Sequence, residues 1–158
     1  MILFRIAAVG KTYTAVDKSG TSASIAPGRW NKADEFVMYT ASTIAMTVLE
    51  TSAHVTARKG LPLNKFLVEV NVPDDVWDAR TVLTSLSASP GWDAIPAGLP
   101  SIQDGSNWYV SGASALLEVP SVIVPEESCV LINCIHSDVT RIGLRIIRKH
   151  TYENLLGR

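Results

Sequence analysis

Within one short stretch the chain sets Arg29 directly after Gly28, Tyr39 in the apolar run Phe36-Val37-Met38-Tyr39-Thr40, and Glu50 in the segment that opens at Ser42. A guanidinium offers bidentate hydrogen bonds to a phosphate or carboxylate, a phenol ring offers a packing surface, and a carboxylate answers positive charge. These are groups suited to an anionic, ring-bearing ligand. Each also has an ordinary structural reading. Arg29 can stack on Trp30, Tyr39 can be a half-buried strand aromatic with its hydroxyl satisfied, and Glu50 can be a solvated helix carboxylate weakly paired with His54. Arg5 adds a second arginine on a strand face shared with Leu3 and Ala7, either snorkelling from an edge strand or turned into a cleft.

Other chemistries find little support. Gly10-Lys11-Thr12 resembles the end of a phosphate loop, but that motif needs a glycine where Arg5 stands. His54, His136 and His150 are far apart, and Cys129 and Cys134 are the only cysteines, so neither a metal site nor a disulfide framework is expected. Buried free thiols are the simpler expectation. Ser111-Gly112-Ala113-Ser114 lacks the glycine frame of a nucleophile elbow, so Ser111 is expected to hydrogen-bond rather than attack. A formal net charge of -1 argues against a nucleic-acid or membrane-surface binder. The N-terminal residues show no secretory pattern and no run approaches a membrane span, which predicts a cytoplasmic protein.

The elements that must carry these residues follow from periodicity. At 158 residues and 47% hydrophobic composition, one domain over 1–158 with a full core is expected. Alternation predicts strands over Ile2–Ala8, Phe36–Thr40 and Phe66–Val72, the last with Leu67, Glu69 and Asn71 outward. Lys18–Pro27 predicts a loop. Ser42 predicts an N-cap for a helix running to Arg58-Lys59, with Gly60 and Pro62 as stop signals. The apolar stripe of that helix is Ile44, Ala45, Val48, Leu49 and Val55, which puts Glu50 opposite, beside Thr47 and His54. Thr84–Trp108 is rich in Ser, Pro and Gly and predicts a long wall or lid with at most short helices, one more being expected around Val76. Further strands are expected over Ala115–Val119, Val122–Val124, Val130–Asn133 and Ile142–Ile147. The basic run of Arg141, Arg145, Arg148, Lys149 and His150 suits a solvated strand edge, with an acidic docking partner as the second reading. The fold class is α+β, a single domain with mixed or mainly antiparallel sheets and few helices.

The order of segments resembles the RES domain family, named for its arginine, glutamate and serine. The residues that carry the resemblance are Arg5, Gly28-Arg29-Trp30-Asn31, Val37-Met38-Tyr39 and Leu49-Glu50. Trp108 with Ser111, Leu116-Leu117-Glu118-Val119-Pro120-Ser121, and Leu131-Ile132-Asn133 to His136 continue it. The chain departs from the family pattern at Pro27, at Cys134 and in its ending, Tyr152-Glu153-Asn154-Leu155.

The resemblance implies a fold similar to diphtheria-toxin-like ADP-ribosyltransferases. It also implies a toxin that cleaves the nicotinamide-ribose bond of NAD, with NAD as substrate and no separate cofactor or metal. Loss of neutral nicotinamide leaves an oxocarbenium-like ribose, so a nearby carboxylate can stabilise the developing charge. Glu50 takes that role by implication. Arg29 and Arg5 would hold the pyrophosphate or ribose, Tyr39 would pack on nicotinamide or its ribose, and Ser111 would orient NAD or the arginines, with Ser121 as its substitute. The implied partners are an Xre-type helix-turn-helix antitoxin that blocks the site and a second copy of the chain. The acceptor of ADP-ribose is open: water, phosphate, or a protein side chain, the last making the chain a mono-ADP-ribosyltransferase. A catalytically silent partner-binding domain is the alternative from another class, motivated by the C-terminal departures.

Overall fold

The structure is a computed structural model and describes residues 1–53 and 64–152. The described strands are β1 (Ile2–Ala8), β2 (Val37–Ala41), β3 (Lys65–Asn71), β4 (Thr81–Val82), β5 (Leu116–Pro120), β6 (Ser128–Asn133) and β7 (Gly143–His150). They form one sheet in the order β4-β5-β6-β2-β1-β3-β7. Every pairing is antiparallel except β4 with β5. With helices α1 (Thr21–Ile25), α2 (Ile44–Ser52), α3 (Asp74–Asp78) and α4 (Leu99–Ser111), the fold is α+β, as the sequence predicts. No described helix is long and apolar enough to cross a membrane.

Both faces of the sheet are covered, because its central strands are apolar on both sides. Leu3, Met38, Val70, Leu116, Ile132 and Ile142 form the core on one face. Trp30, Val37, Trp92, Trp108, Leu117 and Leu131 form the core on the other. Leu67, expected outward, is fully buried for the same reason. The sheet has one weak join. β1 and β3 pair from Ile2↔Asn71 through Ala8↔Lys65, whereas β1 and β2 meet only at Phe4↔Ala41. Beyond that pair the strands part, so β1 and β2 border a seam rather than a continuous ladder.

Helix α2 lies against this seam and corrects the helical-wheel expectation. Its N-cap is Thr43, one residue after Ser42, whose Oγ1 accepts the Met46 N–H at 3.0 Å. Met46 and Thr47 are the buried residues, while Ile44 and Leu49 are 38% and 40% exposed. The surface beneath α2 is polar backbone as well as apolar side chain, and Thr47 satisfies it by donating to the Phe4 carbonyl at 3.2 Å. That contact and the burial of Met46 lie on the same inward face. Glu50, one turn further on, shares that inward face instead of standing opposite the core contact. The expected end of the helix at Arg58 to Pro62, with His54 and Val55, falls outside the described residues.

Helix α4 is the larger correction. The Pro and Gly content of Thr84–Trp108 predicts no long regular structure, yet α4 runs for 13 residues. Pro100 sits in its first turn, where a missing N–H costs nothing. Gly105 lies where the helix touches the Trp30 backbone: a Cβ there would stand 1.8 Å from the Trp30 carbonyl oxygen. Gly112 ends the helix with φ 58. Val122–Val124, expected as a strand, is a turn that binds the Ser121 hydroxyl, and the expected loop at Lys18–Pro27 contains α1. The helix expected around Val76 is α3; of the basic run, Arg145, Arg148, Lys149 and His150 lie on edge strand β7, where Arg145 pairs with Glu69 at 2.8 Å, while Arg141 precedes the strand and pairs with Asp75.

Candidate functional site

The Gly28-Arg29-Trp30-Asn31 loop is braced on every side. Asn31 is 1% exposed; its Oδ1 accepts the Gly28 N–H at 2.9 Å and the Tyr39 hydroxyl at 2.8 Å, and its Nδ2 donates to the Ala23 carbonyl at 3.0 Å. The Tyr39 oxygen in turn accepts the Trp30 N–H at 3.0 Å. Trp30 is buried, stacks on Trp92 at 5.9 Å between ring centroids, and has its carbonyl covered by Gly105. The loop is closed further by Glu35, a buried carboxylate that accepts the Lys32 N–H at 2.7 Å and the Ser106 hydroxyl of α4. Arg29 is therefore held between immobilised neighbours. Its Nη1 donates to the carbonyls of Trp92 and Ala94, both at 2.8 Å, so the arginine also ties down the segment before α4. A guanidinium has five N–H donors in a fixed fork, and those two bonds leave Nε and Nη2 for other acceptors.

Tyr39 is less a free platform than a pillar. Its hydroxyl is spent on Trp30 and Asn31, and burial pushes the phenol well above its ordinary range, so it stays neutral and donates. Its ring remains half-buried on the sheet face shared with Val37, Ala41, Leu131 and Cys129.

Glu50 approaches the same face from α2. Its Oε1 accepts the Ser121 hydroxyl at 2.7 Å and the Cys129 thiol at 3.5 Å. Ser121 is 2% exposed and sits immediately after β5. Its oxygen accepts the N–H groups of Ile123 and Val124, both at 3.0 Å, which fixes the hydroxyl hydrogen toward Glu50. Cys129, on β6, pairs with Ala41 of β2, two residues along from the Leu131 that faces Tyr39. Burial, then the Glu50 carboxylate, hold its thiol above the ordinary range, so the sulfur is an S–H donor. The arrangement is a half-buried carboxylate with one oxygen fixed by two donors from separate elements, on the sheet face that also carries Tyr39.

Arg5 and Ser111 fall elsewhere. The Phe4↔Ala41 and Ala41↔Cys129 pairs put Phe4 on the Glu50 face, so Arg5 projects from the opposite face. It is not on an edge, since β1 lies between β2 and β3. Among the described residues, its Nε and Nη1 are cut off from solvent without a hydrogen-bond partner. Burial lowers its pKa, opposed by Cys134 and Asp17, and the Cys134 thiol is itself pushed up to about 12, mainly by burial. A buried guanidinium with bonds unmade among the described residues, beside the seam, is a group suited to an anion. Ser111, the last residue of α4, donates to the Trp108 carbonyl one turn back at 2.8 Å and lines a shallow pocket with Thr81, Leu83, Asn107 and Leu117. That pocket includes none of Arg29, Tyr39 and Glu50. Ser121, considered only as a substitute, is the serine that meets the carboxylate. The signal was its place in Leu116-Leu117-Glu118-Val119-Pro120-Ser121, at the end of a central strand where unpaired N–H groups can anchor a hydroxyl.

Comparison with known proteins agrees with this arrangement of segments. The family model described as the RES domain matches residues 2–151. The chain is 48% identical over 150 residues to the "Prs ADP-ribosylating toxin" of Sphingobium sp. (strain YBL2), covering 95% of this chain and 92% of the relative. It is 31% identical over 138 residues to a protein named "Toxin Res" from Yersinia enterocolitica, covering 86% of each. Among solved structures it resembles a chain of the M. tuberculosis MbcT-MbcA toxin-antitoxin complex with a TM-score of 0.63, covering 99% of this chain and 89% of that one at 15% identity, a likeness of fold. The chain belongs to the RES domain family.

Proposed function

We propose that this chain is the toxin of a toxin–antitoxin pair and that it cleaves the nicotinamide-ribose bond of NAD at the site built on Arg29, Tyr39 and Glu50. The observation that carries the proposal is the Glu50 carboxylate, held at 2.7 Å by the buried Ser121 hydroxyl on the sheet face of Tyr39. Breaking the bond moves an electron pair onto nicotinamide, which leaves neutral, and leaves positive charge on the ribose. A fixed carboxylate stabilises that charge without reorganising at the moment of reaction. Arg29, with free N–H groups on a braced loop, would hold the pyrophosphate or a ribose oxygen and so set the reacting conformation. The Tyr39 ring would pack against the nicotinamide end. Arg5, on the opposite sheet face, would reach the anionic part of NAD only through the gap where β1 and β2 cease to pair.

Two fates of the ADP-ribosyl group use the same site. Transfer to water or phosphate depletes NAD; transfer to a protein is favoured by one observation, the relative named for ADP-ribosylation at 48% identity. Incubating purified protein with NAD, with and without phosphate, and resolving the products separates hydrolysis from phosphorolysis. Intact-mass measurement of co-expressed proteins detects transfer. Nicotinamide release abolished by Glu50→Gln is the expected result. A wild-type protein that leaves NAD intact, or a Glu50→Gln variant as toxic as wild type, refutes the enzymatic reading in favour of partner binding. The solved toxin-antitoxin neighbour supports an antitoxin partner, which we expect to be an Xre-type helix-turn-helix protein covering the face that carries Arg29, Tyr39 and Glu50, with this chain self-associating in the complex.

A further inference from the structure

We propose that Cys129 is a positioning residue for Glu50: its thiol, donated from the central strand β6, sets the carboxylate rotamer that faces the substrate. The inference rests on the reading of Glu50 as the reacting carboxylate. Its geometry is independent of that reading.

Two donors converge on one oxygen. Ser121 reaches Oε1 from the end of β5 at 2.7 Å, and Cys129 reaches the same Oε1 from β6 at 3.5 Å. A single hydrogen bond fixes where an oxygen lies but leaves the carboxylate free to rotate about it. A second donor from another direction restricts that freedom and leaves Oε2 engaged by neither donor. The donor also sits on a rigid base. Cys129 is locked in register opposite Ala41 on one side and Val119 on the other, between strands that are themselves paired. Ser121 alone hangs from a turn. A thiol suits the role because it is a neutral donor that leaves the carboxylate's charge in place, and a second cation there would compete for the charge meant for the ribose. The groups that bear on the thiol are Glu50 and, more weakly, Glu127, both of which oppose its ionisation.

The test uses full-length protein carrying Cys134→Ser so that one thiol remains. Removing one hydrogen bond to a charged acceptor is expected to lower kcat about three- to tenfold in Cys129→Ala with KM nearly unchanged, since the lost contact orients the carboxylate rather than binding NAD. Cys129→Ser, which keeps an O–H donor, is expected to recover most of that loss. The contact itself is read without activity, from the pH dependence of Cys129 alkylation, which should shift to lower pH in Glu50→Gln. Full kcat in Cys129→Ala, a Cys129→Ser variant as impaired as the alanine, or an alkylation profile unmoved by Glu50→Gln each overturns the proposal. A wild type that leaves NAD intact sinks the functional reading and the positioning role together. A wild type that turns NAD over while Cys129→Ala matches it sinks the positioning role alone.

Discussion

Replacing Gly105 with alanine tests how α4 seats the arginine loop. An ideal Cβ at that position meets the Trp30 carbonyl oxygen at 1.8 Å and its carbonyl carbon at 2.7 Å. Real Cβ contacts essentially never fall under 3.0 Å, so helix and loop must part by at least 3.0 minus 1.8, or 1.2 Å. The obstacle is backbone, carried by a residue whose ring is 3% exposed and stacked on Trp92, so it does not yield as a flexible side chain would. Overpacking costs about 1–3 kcal/mol, and a shift this large against backbone belongs at the upper end. Alanine recovers about 1 kcal/mol over glycine inside a helix, which leaves a net loss of about 2 kcal/mol. For a chain of this length that lowers Tm by about 4–8 °C. The strain also falls on the Ser106 to Glu35 hydrogen bond and on the loop that carries Arg29, so nicotinamide release should fall with stability. Gly112→Ala is the control. It has open space but φ 58, so it should cost about 1 kcal/mol of backbone strain with turnover intact. Thermal and urea unfolding of both variants beside an NAD assay decide the matter. A Gly105→Ala protein that melts higher, as helix propensity alone would have it, and keeps wild-type turnover refutes the account of how α4 docks.

Ser121→Ala should lower NAD turnover by about 10- to 100-fold, because the carboxylate loses its shorter donor, while Ser111→Ala should stay within about twofold of wild type. Equal effects in a steady-state nicotinamide assay would contradict the placement of the two serines. Tyr39→Phe removes the acceptor of the Trp30 N–H and the donor to Asn31, leaving buried partners unpaired, and should cost about 1–3 kcal/mol in urea unfolding; a neutral substitution would mean the hydroxyl does not brace the loop. His150 gives a pH prediction. Burial first, and Arg148 second, hold its imidazole below the ordinary value, so the unfolded state binds the proton more readily. Its contribution is complete above the unfolded value and is lost as pH falls through the lowered folded one. Urea midpoints at pH 7.5 and pH 5.5 should therefore diverge less in His150→Phe than in wild type, and an unchanged divergence would remove His150 as a cause.

What the sequence makes legible is what period and local chemistry determine. β1 is recovered at its observed limits, and β2, β3, β5 and β6 lie within a residue or two of them, because short apolar runs bounded by turn residues mark strands even in a sheet covered on both faces. The errors at α4 and α2 have a common origin: each lies where a residue answers a distant backbone group rather than its own neighbours. Gly105 is a helix breaker by propensity and a contact point by position, since only a residue without Cβ lets α4 meet the Trp30 carbonyl. Thr47 looks like a surface residue on a wheel, yet it turns inward to the Phe4 carbonyl where β1 and β2 cease to pair.

That hydrogen bond goes with the inward turn of Met46 and Thr47, and so with the setting of Glu50. With Ile44, Ala45 and Leu49 inward, as the wheel predicts, the carboxylate would be a solvated group opposite the core, free to rotate and screened by water. With Met46 and Thr47 inward, it reaches Ser121 and Cys129 on a covered sheet face. There its electrostatics are stronger and its direction is fixed. The exposed apolar residues of α2 follow from the same rotation. The polar face of the helix is the one the site needs, so its apolar face is left toward solvent. A variant that restores the wheel's preference tests this. Thr47→Val keeps the volume but removes the bond to Phe4 and the back-bond to Thr43. Stability should fall by about 1 kcal/mol, because the Phe4 carbonyl loses this donor, and turnover should drop by more than that loss explains as Glu50 loses its approach to Ser121. A Thr47→Val protein with wild-type turnover would show that the helix orientation does not depend on this contact, and the link from sequence pattern to carboxylate position would have to be sought in the sheet instead.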